Sequence, residues 1–226
     1  MRLMDLFLRI RYPWPAFVLA LAALALALAV ISRPLFADLP PPSALTARAA
    51  PAATRITDRQ GRLLAEVLDP RQGRRARITL ADLPPHVTNA VLAVEDAGFR
   101  AHPGVDLRSV ARALFQTITT REAQSGASTI TQQLARDVLM SPEERQQRTL
   151  WRKAREMLLA LRLERAYDKD TLLETYLNEV YFGQLAYGMN AAAQTYFGVP
   201  ARDLDLAQAA LLAGLIQAPA AYNPLV

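Results

Sequence analysis

The sequence predicts a mainly α-helical domain with a small β element at its start and one N-terminal transmembrane helix before it. Three observations carry this prediction: an uncharged apolar run near the N-terminus, two short β-like stretches around a glycine turn, and helical periodicity in every segment from Pro84 onward. The 226 residues suffice for one domain of ordinary size with an appendage.

The predicted transmembrane helix covers residues 13–32. This stretch carries no charge, and roughly 20 helical residues, each rising about 1.5 Å, span the ~30 Å hydrocarbon core of a bilayer. Three arginines against one aspartate in residues 1–12 predict a cytoplasmic tail. A cleaved signal peptide is the competing interpretation, but Ser32-Arg33-Pro34 does not form a small-residue cleavage site. Residues 33–53 are rich in proline and predict an extended linker.

The domain itself is expected over residues 54–226. Residues 56–57 and 63–67 flank a polar turn at residues 58–61, in which Gly61 supplies a positive φ, so they predict a β-hairpin. A second pairing, with residues 77–80, is an open alternative.

Helical segments follow through the rest of the domain. Four apolar residues at helical spacing between Val87 and Val94 predict a helix that ends before Gly98. Asp106 and Ser128 are suited to cap the N-termini of the next two helices. The predicted helices after Gly98 are residues 107–119, 129–139 and 142–166, one from Asp168 or Asp170 to Gly183, then 190–196 and 205–217.

The helix over residues 142–166 is predicted as one long element. Ser141 begins a capping-box pattern with proline at the first helical position. Its apolar residues share one side: Leu150, Ala154, Met157, Leu158 and Leu161.

The composition excludes several classes of function. The chain has no cysteine, which rules out disulfides, thiol catalysis and thiolate metal sites. The formal net charge is +5, and nearly all the basic residues are arginine, with Lys153 and Lys169 as the exceptions. Nucleic acid is a poor partner for an exported domain, whereas lipid head groups and diphosphates suit the guanidinium fork.

The most informative stretch places two carboxylates side by side where a helical pattern breaks. Glu95 and Asp96 precede Gly98, and Phe99 and His102 follow closely. A carboxylate at a helix end between apolar walls can have its pKa raised and act as a general acid or base. Solvated surface charges are the competing interpretation, since most Asp and Glu side chains are exposed.

A second polar cluster lies at a predicted helix N-terminus, in the sequence Gly-Ala-Ser-Thr-Ile-Thr-Gln-Gln. Free backbone N–H groups and the positive end of the helix dipole point there, so the cluster can hold a sugar hydroxyl or a phosphate. A well-capped helix with its glutamines in water is the alternative. The candidate residues are Ser128, Thr129, Gln132 and Gln133.

A third cluster is basic. Its members are spaced three or four residues apart and so share one helix face: Arg148, Arg152, Arg155 and Glu156. We interpret it as a cationic patch for a diphosphate leaving group, with Glu156 inside it. The alternative is an Arg152–Glu156 surface pair worth roughly 0.3–0.5 kcal/mol.

Two further segments contain aromatic residues before glycine. Leu173, Tyr176 and Leu177 are assigned to the core, whereas Asn178 and the Tyr181-Phe182-Gly183 turn are less easily explained by packing. Tyr196-Phe197-Gly198 is interpreted as part of a small-residue helix contact.

The order and spacing of these segments resemble the peptidoglycan glycosyltransferase domain of class A penicillin-binding proteins and of monofunctional peptidoglycan transglycosylases. The family pattern is ED-x-x-F-x-x-H-x-G, G-x-S-T-x-x-Q-Q, R-K-x-x-E, a Leu-Glu-x-Tyr-Leu-Asn helix ending in Phe-Gly, and a Tyr-Phe-Gly segment. All five occur here, between residues 83 and 224. The resemblance implies a lysozyme-like helical fold and processive polymerisation of lipid II with release of undecaprenyl diphosphate.

The resemblance also implies residue roles. By position, Glu95 is the expected general base, and Glu156 is expected to act at the donor diphosphate. The implied substrate contacts are Asp96, Phe99, His102, Ser128, Thr129, Gln132, Gln133, Arg136, Arg148, Arg152, Lys153 and Asn178. Where the family usually has Lys-Asn, this chain has Arg136-Asp137. Arginine still binds phosphate, but Asp137 adds a negative charge that suits the site only if it faces away.

The implied partners are lipid II, the growing glycan chain and the inner membrane, with other cell-wall synthesis proteins as further candidates and no nucleic acid. With the predicted span, this describes a single-pass inner-membrane protein whose N-terminus is cytoplasmic and whose catalytic domain is periplasmic or extracellular. The sequence contains no dedicated metal cage and requires no cofactor. Family members often use a divalent cation, so Mg²⁺ or Mn²⁺ at the diphosphate is an option.

Two other functions are open at this point. A lysozyme-type glycoside hydrolase also presents a catalytic glutamate at a helix end, and a non-catalytic scaffold would only bind lipid or division proteins. The basic helix and the predicted anchor favour an enzyme that acts on a lipid diphosphate, since a secreted hydrolase would need neither. The presence of Glu95, Glu156 and the basic residues between Arg148 and Arg155 argues against a scaffold.

Overall fold

The computed structural model describes residues 17–19, 21–23, 29, 35–36, 38–47, 54–67, 73–120, 128–147 and 149–225. The chain divides into two units, Met1–Leu39 and Pro40–Val226. In the first unit, residues 17–19, 21–23 and 29 are helical. The described residues include no helix that is both long and apolar enough to cross a membrane. The predicted tail, residues 1–12, and most of the predicted span, residues 13–32, lie outside the described part.

Part of the predicted linker is folded in the second unit. A one-turn helix, α1 (Ala44–Ala47), begins with Ala44 N donating to the Pro41 carbonyl at 3.0 Å. Leu45 is buried, and the Tyr167 hydroxyl donates to the Pro42 carbonyl at 3.0 Å. These contacts hold the chain against the domain, so the prediction of an extended linker is wrong for residues 41–47.

The predicted hairpin is confirmed. Strand β1 (Thr54–Thr57) pairs antiparallel with β2 (Leu63–Val67). The Asp58 carboxylate closes the turn by accepting hydrogen bonds from the backbone N–H groups of Gln60 and Arg62, at 2.9 and 2.8 Å. Gly61 has a φ of 81°, in the region that favours glycine.

The alternative pairing of residues 77–80 does not form. A short strand, β3 (Arg74–Arg75), pairs in parallel with β4 (Ala186–Tyr187). The Asn178 side chain instead accepts from the N–H of Ile78 and donates to its carbonyl, at 2.9 and 2.8 Å. Side-chain bonds thus replace a strand partner, and a 3₁₀ turn follows at Leu80–Asp82.

Two long helices come next, α2 (Pro85–Glu95) and α3 (Leu107–Thr120). The short helix α4 (Ile130–Leu134) follows and continues as a π-helical turn at Ala135–Leu139. Asp106 caps α3, since its carboxylate accepts from Arg108 N at 2.9 Å. The predicted Ser128 cap of α4 is wrong. Thr129 is the N-cap and accepts from Gln132 N at 3.2 Å, whereas Ser128 bonds to a lysine described below.

The predicted helix over residues 142–166 is two helices. The capping box at Ser141 opens α5 (Pro142–Gln146), but Gln147 is extended and Thr149 caps a second helix, α6 (Leu150–Ala166). The predicted apolar side of α6 is not its buried side, because Leu150 is 90% exposed and the other four residues are only half-buried. The buried side carries Glu156, Leu159, Ala160 and Leu163.

The remaining helices are α7 (Lys169–Glu179), α8 (Met189–Phe197) and α9 (Leu206–Gln217). Of the two predicted starts of α7, Asp168 is confirmed, and it caps the helix; Asp205, predicted as the start of the last helix, is the N-cap of α9, and Gly198 ends α8 with a φ of 71°. Helix α7 ends before the predicted Gly183, because Val180 is extended. Helix α4 packs against α6 and α7, and α9 packs along α2. The described fold is therefore mainly helical with a small β element, as predicted, and its packing brings the end of α2 beside the start of α4.

Candidate active site

Glu95 is the last residue of α2 and stands at the wall of a cleft of about 370 Å³. Val87 and Val91 on the same helix are fully buried, which fixes the helix and the place of its C-terminal end. The following residue, Asp96, leaves the helical conformation. Other residues that line the cleft include Gly98, Asp106, Ser109, Arg112, Ser128 and Thr129.

The environment of Glu95 alters its acidity. Burial raises the pKa of the Glu95 carboxyl and outweighs the Gln133 hydrogen bond and the Arg136 charge, which lower it, while Asp96 adds to the rise. Gln133 Nε2 donates to Glu95 Oε2 at 2.6 Å. The other oxygen, Oε1, is buried and has no hydrogen-bond partner among the described residues. The site thus holds a half-buried carboxylate with one anchored oxygen and one free oxygen.

Asp96 points into the fold. Its two carboxylate oxygens lie 2.8 and 3.0 Å from His102 Nε2, and Oδ2 also accepts from the backbone N–H of Ile130 at 3.0 Å. His102 Nδ1 accepts from Gly104 N at 3.2 Å, so Nε2 carries the hydrogen donated to Asp96. Asp96 therefore joins the loop after α2 to the start of α4.

Phe99 and His102 shape that loop from inside. Phe99 is 1% exposed, and the Lys169 ammonium lies 4.4 Å from the centre of its ring. Lys169 also donates to the His102 carbonyl and to Glu164 Oε1, both at 2.7 Å. Gly104 follows with a φ of 92°, where a Cβ atom would lie 2.7 Å from the Glu164 side chain, so only glycine fits.

The N-terminus of α4 is held by buried hydroxyls. Thr129 donates to the Gly104 carbonyl at 2.6 Å while it caps the helix. Thr131 donates to Glu164 Oε1 at 2.5 Å. These bonds fix the orientation of the next residues, Gln132 and Gln133, which leave α4 towards different parts of the site.

A cationic cluster lies beside α4, and we define it as Arg152, Lys153 and Glu156. Glu156 is fully buried; its Oε2 accepts from Arg152 Nη1 at 2.6 Å and its Oε1 from Lys153 Nζ at 2.5 Å. Lys153 also donates to Ser128 Oγ at 2.7 Å and to Gln132 Oε1 at 2.9 Å. The two cations exceed the single carboxylate by one charge. Gln132 Nε2 and Arg152 Nε are buried donors without partners among the described residues.

Arg136 and Asp137 form their own pair, with Arg136 Nε 3.0 Å from Asp137 Oδ1. Burial alone would lower the pKa of Arg136, but the Asp137 and Glu156 carboxylates raise it above its usual value. Arg136 thus stays charged, and Asp137 neutralises part of that charge. Arg148 lies outside the described residues.

Asn178 belongs to α7 and lines a different cavity, of about 450 Å³. Its side chain is engaged with Ile78, as described above, and also donates to the Glu174 carbonyl at 2.8 Å. The structure does not place Asn178 in the cleft wall beside Glu95, where it places Ser128 and Thr129.

Two residues at the site were not predicted to act there. Tyr176 was assigned to the core, yet its hydroxyl donates to Gln133 Oε1 at 3.1 Å. Lys169 was given no role, yet it ties the His102 loop to α6. A tyrosine in an apolar helical stripe and a lysine in a first helical turn give no sequence signal for such contacts.

The described residues contain no group of three or more His, Cys, Asp or Glu side chains that could hold a metal ion. The carboxylates of Asp137 and Glu156 are already paired with arginine or lysine. A divalent cation at the diphosphate therefore stays a prediction.

Known proteins with similar sequences identify the family of this domain. The sequence model of the transglycosylase family matches residues 60–226. Penicillin-binding protein 1A of Aquifex aeolicus is 41% identical over 202 residues, which are 89% of this chain and 27% of that protein. The proteins of the same name from Neisseria lactamica and Pseudomonas aeruginosa are 50% and 43% identical, over 68% and 76% of this chain and 19% and 20% of their own.

This chain spans about a quarter or less of the length of those relatives. The family match, however, covers every helix from α2 to α9 and every site residue described above. The chain therefore belongs to the transglycosylase family and contains a peptidoglycan glycosyltransferase domain of the class A penicillin-binding protein type.

Proposed function

We propose that this chain is a membrane-anchored polymerase that joins lipid II units into glycan strands and releases undecaprenyl diphosphate. The observation that carries the proposal is the arrangement of two adjacent glutamines on α4. Gln133 bonds to the half-buried Glu95, and Gln132 bonds to Lys153 of the cationic cluster. A base and an anion site linked by one helix suit a reaction in which one sugar loses a proton and another loses a diphosphate.

Glu95 is the proposed base. The raised pKa of its carboxyl makes it a stronger proton acceptor than a solvated carboxylate, and Oε1 has a lone pair that no described residue uses. The acceptor hydroxyl oxygen bonds to the anomeric carbon of the donor as its proton passes to Glu95. The bond from that carbon to the diphosphate oxygen breaks with its electron pair. A positioned general base typically contributes ~10²–10⁴-fold in rate.

The cationic cluster is the proposed site of the leaving diphosphate. Its excess positive charge is fixed before the reaction, so little reorganisation is needed when negative charge develops on the leaving oxygen. The unpartnered donors of Gln132 and Arg152 are available to oxygen atoms of a phosphate. Fixed donors beside excess positive charge support an anionic ligand here.

The lipid substrate supports a position at the inner membrane. In this proposal residues 13–32 anchor the chain, the N-terminus stays in the cytoplasm, and the catalytic domain lies in the periplasm or outside the cell. The growing glycan chain and other cell-wall synthesis proteins are its proposed partners. The proposed steps use only side chains of this chain, and the role of Mg²⁺ or Mn²⁺ stays a prediction.

The site is less suited to glycoside hydrolysis, which uses a second carboxyl group as nucleophile or base. The other carboxylates that line the cleft are engaged: Asp96 with His102 and Ile130 N, and Asp106 with Arg108 N and Ser109. Both oxygens of Glu156 are occupied by ion pairs with Arg152 and Lys153. This favours transfer between two sugars over hydrolysis.

The test is polymerisation of purified lipid II by the full chain in detergent, with Glu95→Gln beside the wild type. We expect the variant to lose glycan synthesis by ~10²–10⁴-fold while its melting temperature does not fall and its vesicle binding changes little. Glu143→Gln, the same change at an exposed site, is the control and should keep full activity. Normal glycan chain growth by Glu95→Gln would show that Glu95 is not the base. Clipping of preformed peptidoglycan by the wild type would support hydrolysis, and lipid II binding without either activity would support a scaffold.

A further inference from the structure

Tyr176 is a buried side chain whose hydroxyl group is linked through one residue to the proposed base. Its side chain is 1% exposed and belongs to α7, whose buried neighbours Leu172, Leu173 and Leu177 are all apolar. The hydroxyl donates to Gln133 Oε1 at 3.1 Å, and the same Gln133 amide donates to Glu95 Oε2 at 2.6 Å. A chain of hydrogen bonds therefore runs from α7 through α4 to the end of α2.

The direction of this chain follows from the chemistry of the amide. A glutamine side chain has an acceptor oxygen at one end and an NH₂ donor at the other. If the Gln133 amide were reversed, its oxygen would face the Glu95 carboxylate, and the buried Tyr176 hydroxyl would lose the acceptor for its hydrogen. An unsatisfied buried donor is unfavourable. The Tyr176 hydroxyl thus selects the orientation that turns the NH₂ group towards Glu95.

We propose that Tyr176 is a positioning residue of the reaction: through Gln133 it anchors Oε2 of Glu95 and leaves Oε1 as the oxygen that takes the acceptor proton. This inference rests on the proposed function of Glu95. It assigns different tasks to the two oxygens of one carboxylate, which agrees with the lack of a partner for Oε1 among the described residues.

The other charged groups around Glu95 are fixed independently of Tyr176. Asp96 bonds to His102, and Arg136 pairs with Asp137. Asp106 and Arg112 line the same cleft. Helix α9, which packs along α2, has no titratable side chain. Burial, with a smaller contribution from Glu95, raises the pKa of Tyr176 well above its usual value, so the hydroxyl keeps its hydrogen at every pH used for an assay.

The test is the pH dependence of kcat/KM in the lipid II assay with Tyr176→Phe. The substitution removes one oxygen atom and frees the Gln133 amide to turn, so the ionised form of Glu95 loses a donor. We expect the acid limb of the profile to move up by about one pH unit, with the rate above the limb within about threefold of the wild type. Tyr167→Phe, which removes a tyrosine hydroxyl bonded to the Pro42 carbonyl, is the control and should leave the limb in place.

A double-mutant cycle identifies Gln133 as the intermediary. Gln133→Met should move the acid limb in the same direction, and adding Tyr176→Phe to it should produce no further shift. Equal loss of rate at all pH values with a lower melting temperature would show that Tyr176 is only structural, and additive shifts would show that it does not act through Gln133. Either result overturns the inference. If Tyr176→Phe does not fold, an unmoved limb in Gln133→Met overturns it.

Failure of the inference differs from failure of the proposed function. If Glu95→Gln is inactive but the limb does not move in Tyr176→Phe, only the positioning role is wrong. If Glu95→Gln retains activity, the assignment of the base is wrong and the positioning role falls with it.

Discussion

Glu95 and Glu156 lie on two sides of the α4 N-terminus, and their surroundings differ. Glu95 is half-buried, has one hydrogen-bonded oxygen, and leaves the other oxygen without a partner among the described residues. Glu156 is fully buried, and an arginine and a lysine occupy its two oxygens. Glu95 thus has an oxygen that can accept a proton, whereas both oxygens of Glu156 are occupied.

The difference assigns separate tasks to the two carboxylates. An ion-paired glutamate without solvent contact is poorly placed to take a proton from a sugar, but it holds two cations in a fixed position. Glu156 is therefore best understood as the residue that places Arg152 and Lys153. Its effect on the reaction is then indirect, through those cations, whereas the role proposed for Glu95 is at the substrate itself.

Glu156→Gln gives the largest expected effect on stability. Removing the carboxylate leaves two cations close together without a counter-charge. Breaking a fully buried pair costs ~3–5 kcal/mol, and because Arg152 and Lys153 are partly exposed we expect the free energy of unfolding to fall by about 2–4 kcal/mol. Urea denaturation of the full chain measures this change.

The matched control is Glu144→Gln on α5. Glu144 pairs with Arg155 in a more exposed position, and glutamine preserves the capping box at Ser141, so the loss should stay below ~1 kcal/mol. Equal losses in Glu144→Gln and Glu156→Gln would contradict the structural role of Glu156. A stable Glu156→Gln that is as inactive as Glu95→Gln would point instead to direct chemistry at Glu156.

The difference in stability between the wild type and Glu95→Gln should depend on pH in a defined direction. Burial raises the pKa of Glu95 in the folded state above its unfolded value, so the folded state prefers the protonated carboxyl. This contribution to stability is complete below the unfolded pKa and is lost as pH rises through the folded pKa. The wild type should therefore match Glu95→Gln at acidic pH and melt at a lower temperature than the variant at neutral pH. Melting curves of both proteins across this pH range measure the difference. A wild type that melts at a higher temperature than Glu95→Gln at neutral pH would show that the Gln133 bond and the Arg136 charge outweigh burial.

Local sequence signals predicted much of the fold and identified most of the polar residues at the site. Capping residues such as Asp168 and Asp205 act within one helical turn, so their effect is visible in the sequence. The break between α5 and α6 at Gln147 is not visible in the sequence, because residues 143–150 continue a helical pattern without glycine or proline. Which oxygen of Glu95 or Glu156 is engaged depends on residues from other helices, and pairwise contacts between distant segments leave no local pattern. The same reason explains why Tyr176 was assigned to the core.

The smallest expected effect comes from substitutions at the start of α4, the helix whose glutamines contact both sides of the site. These substitutions test the helix without changing Glu95 or Glu156. Thr129→Ala removes the cap of α4 and the bond to the Gly104 carbonyl, and we expect a loss of about 1–2 kcal/mol in the free energy of unfolding. Thr129→Ser keeps the hydroxyl and loses only a buried methyl group, so its loss should be about 0.8 kcal/mol. Because the same helix start directs Gln132 and Gln133, Thr129→Ala should also lower lipid II turnover, and Thr129→Ser should lower it less. Equal turnover in the two variants would mean that the Thr129 hydroxyl does not help to place either glutamine, and that the two sides of the site are positioned separately.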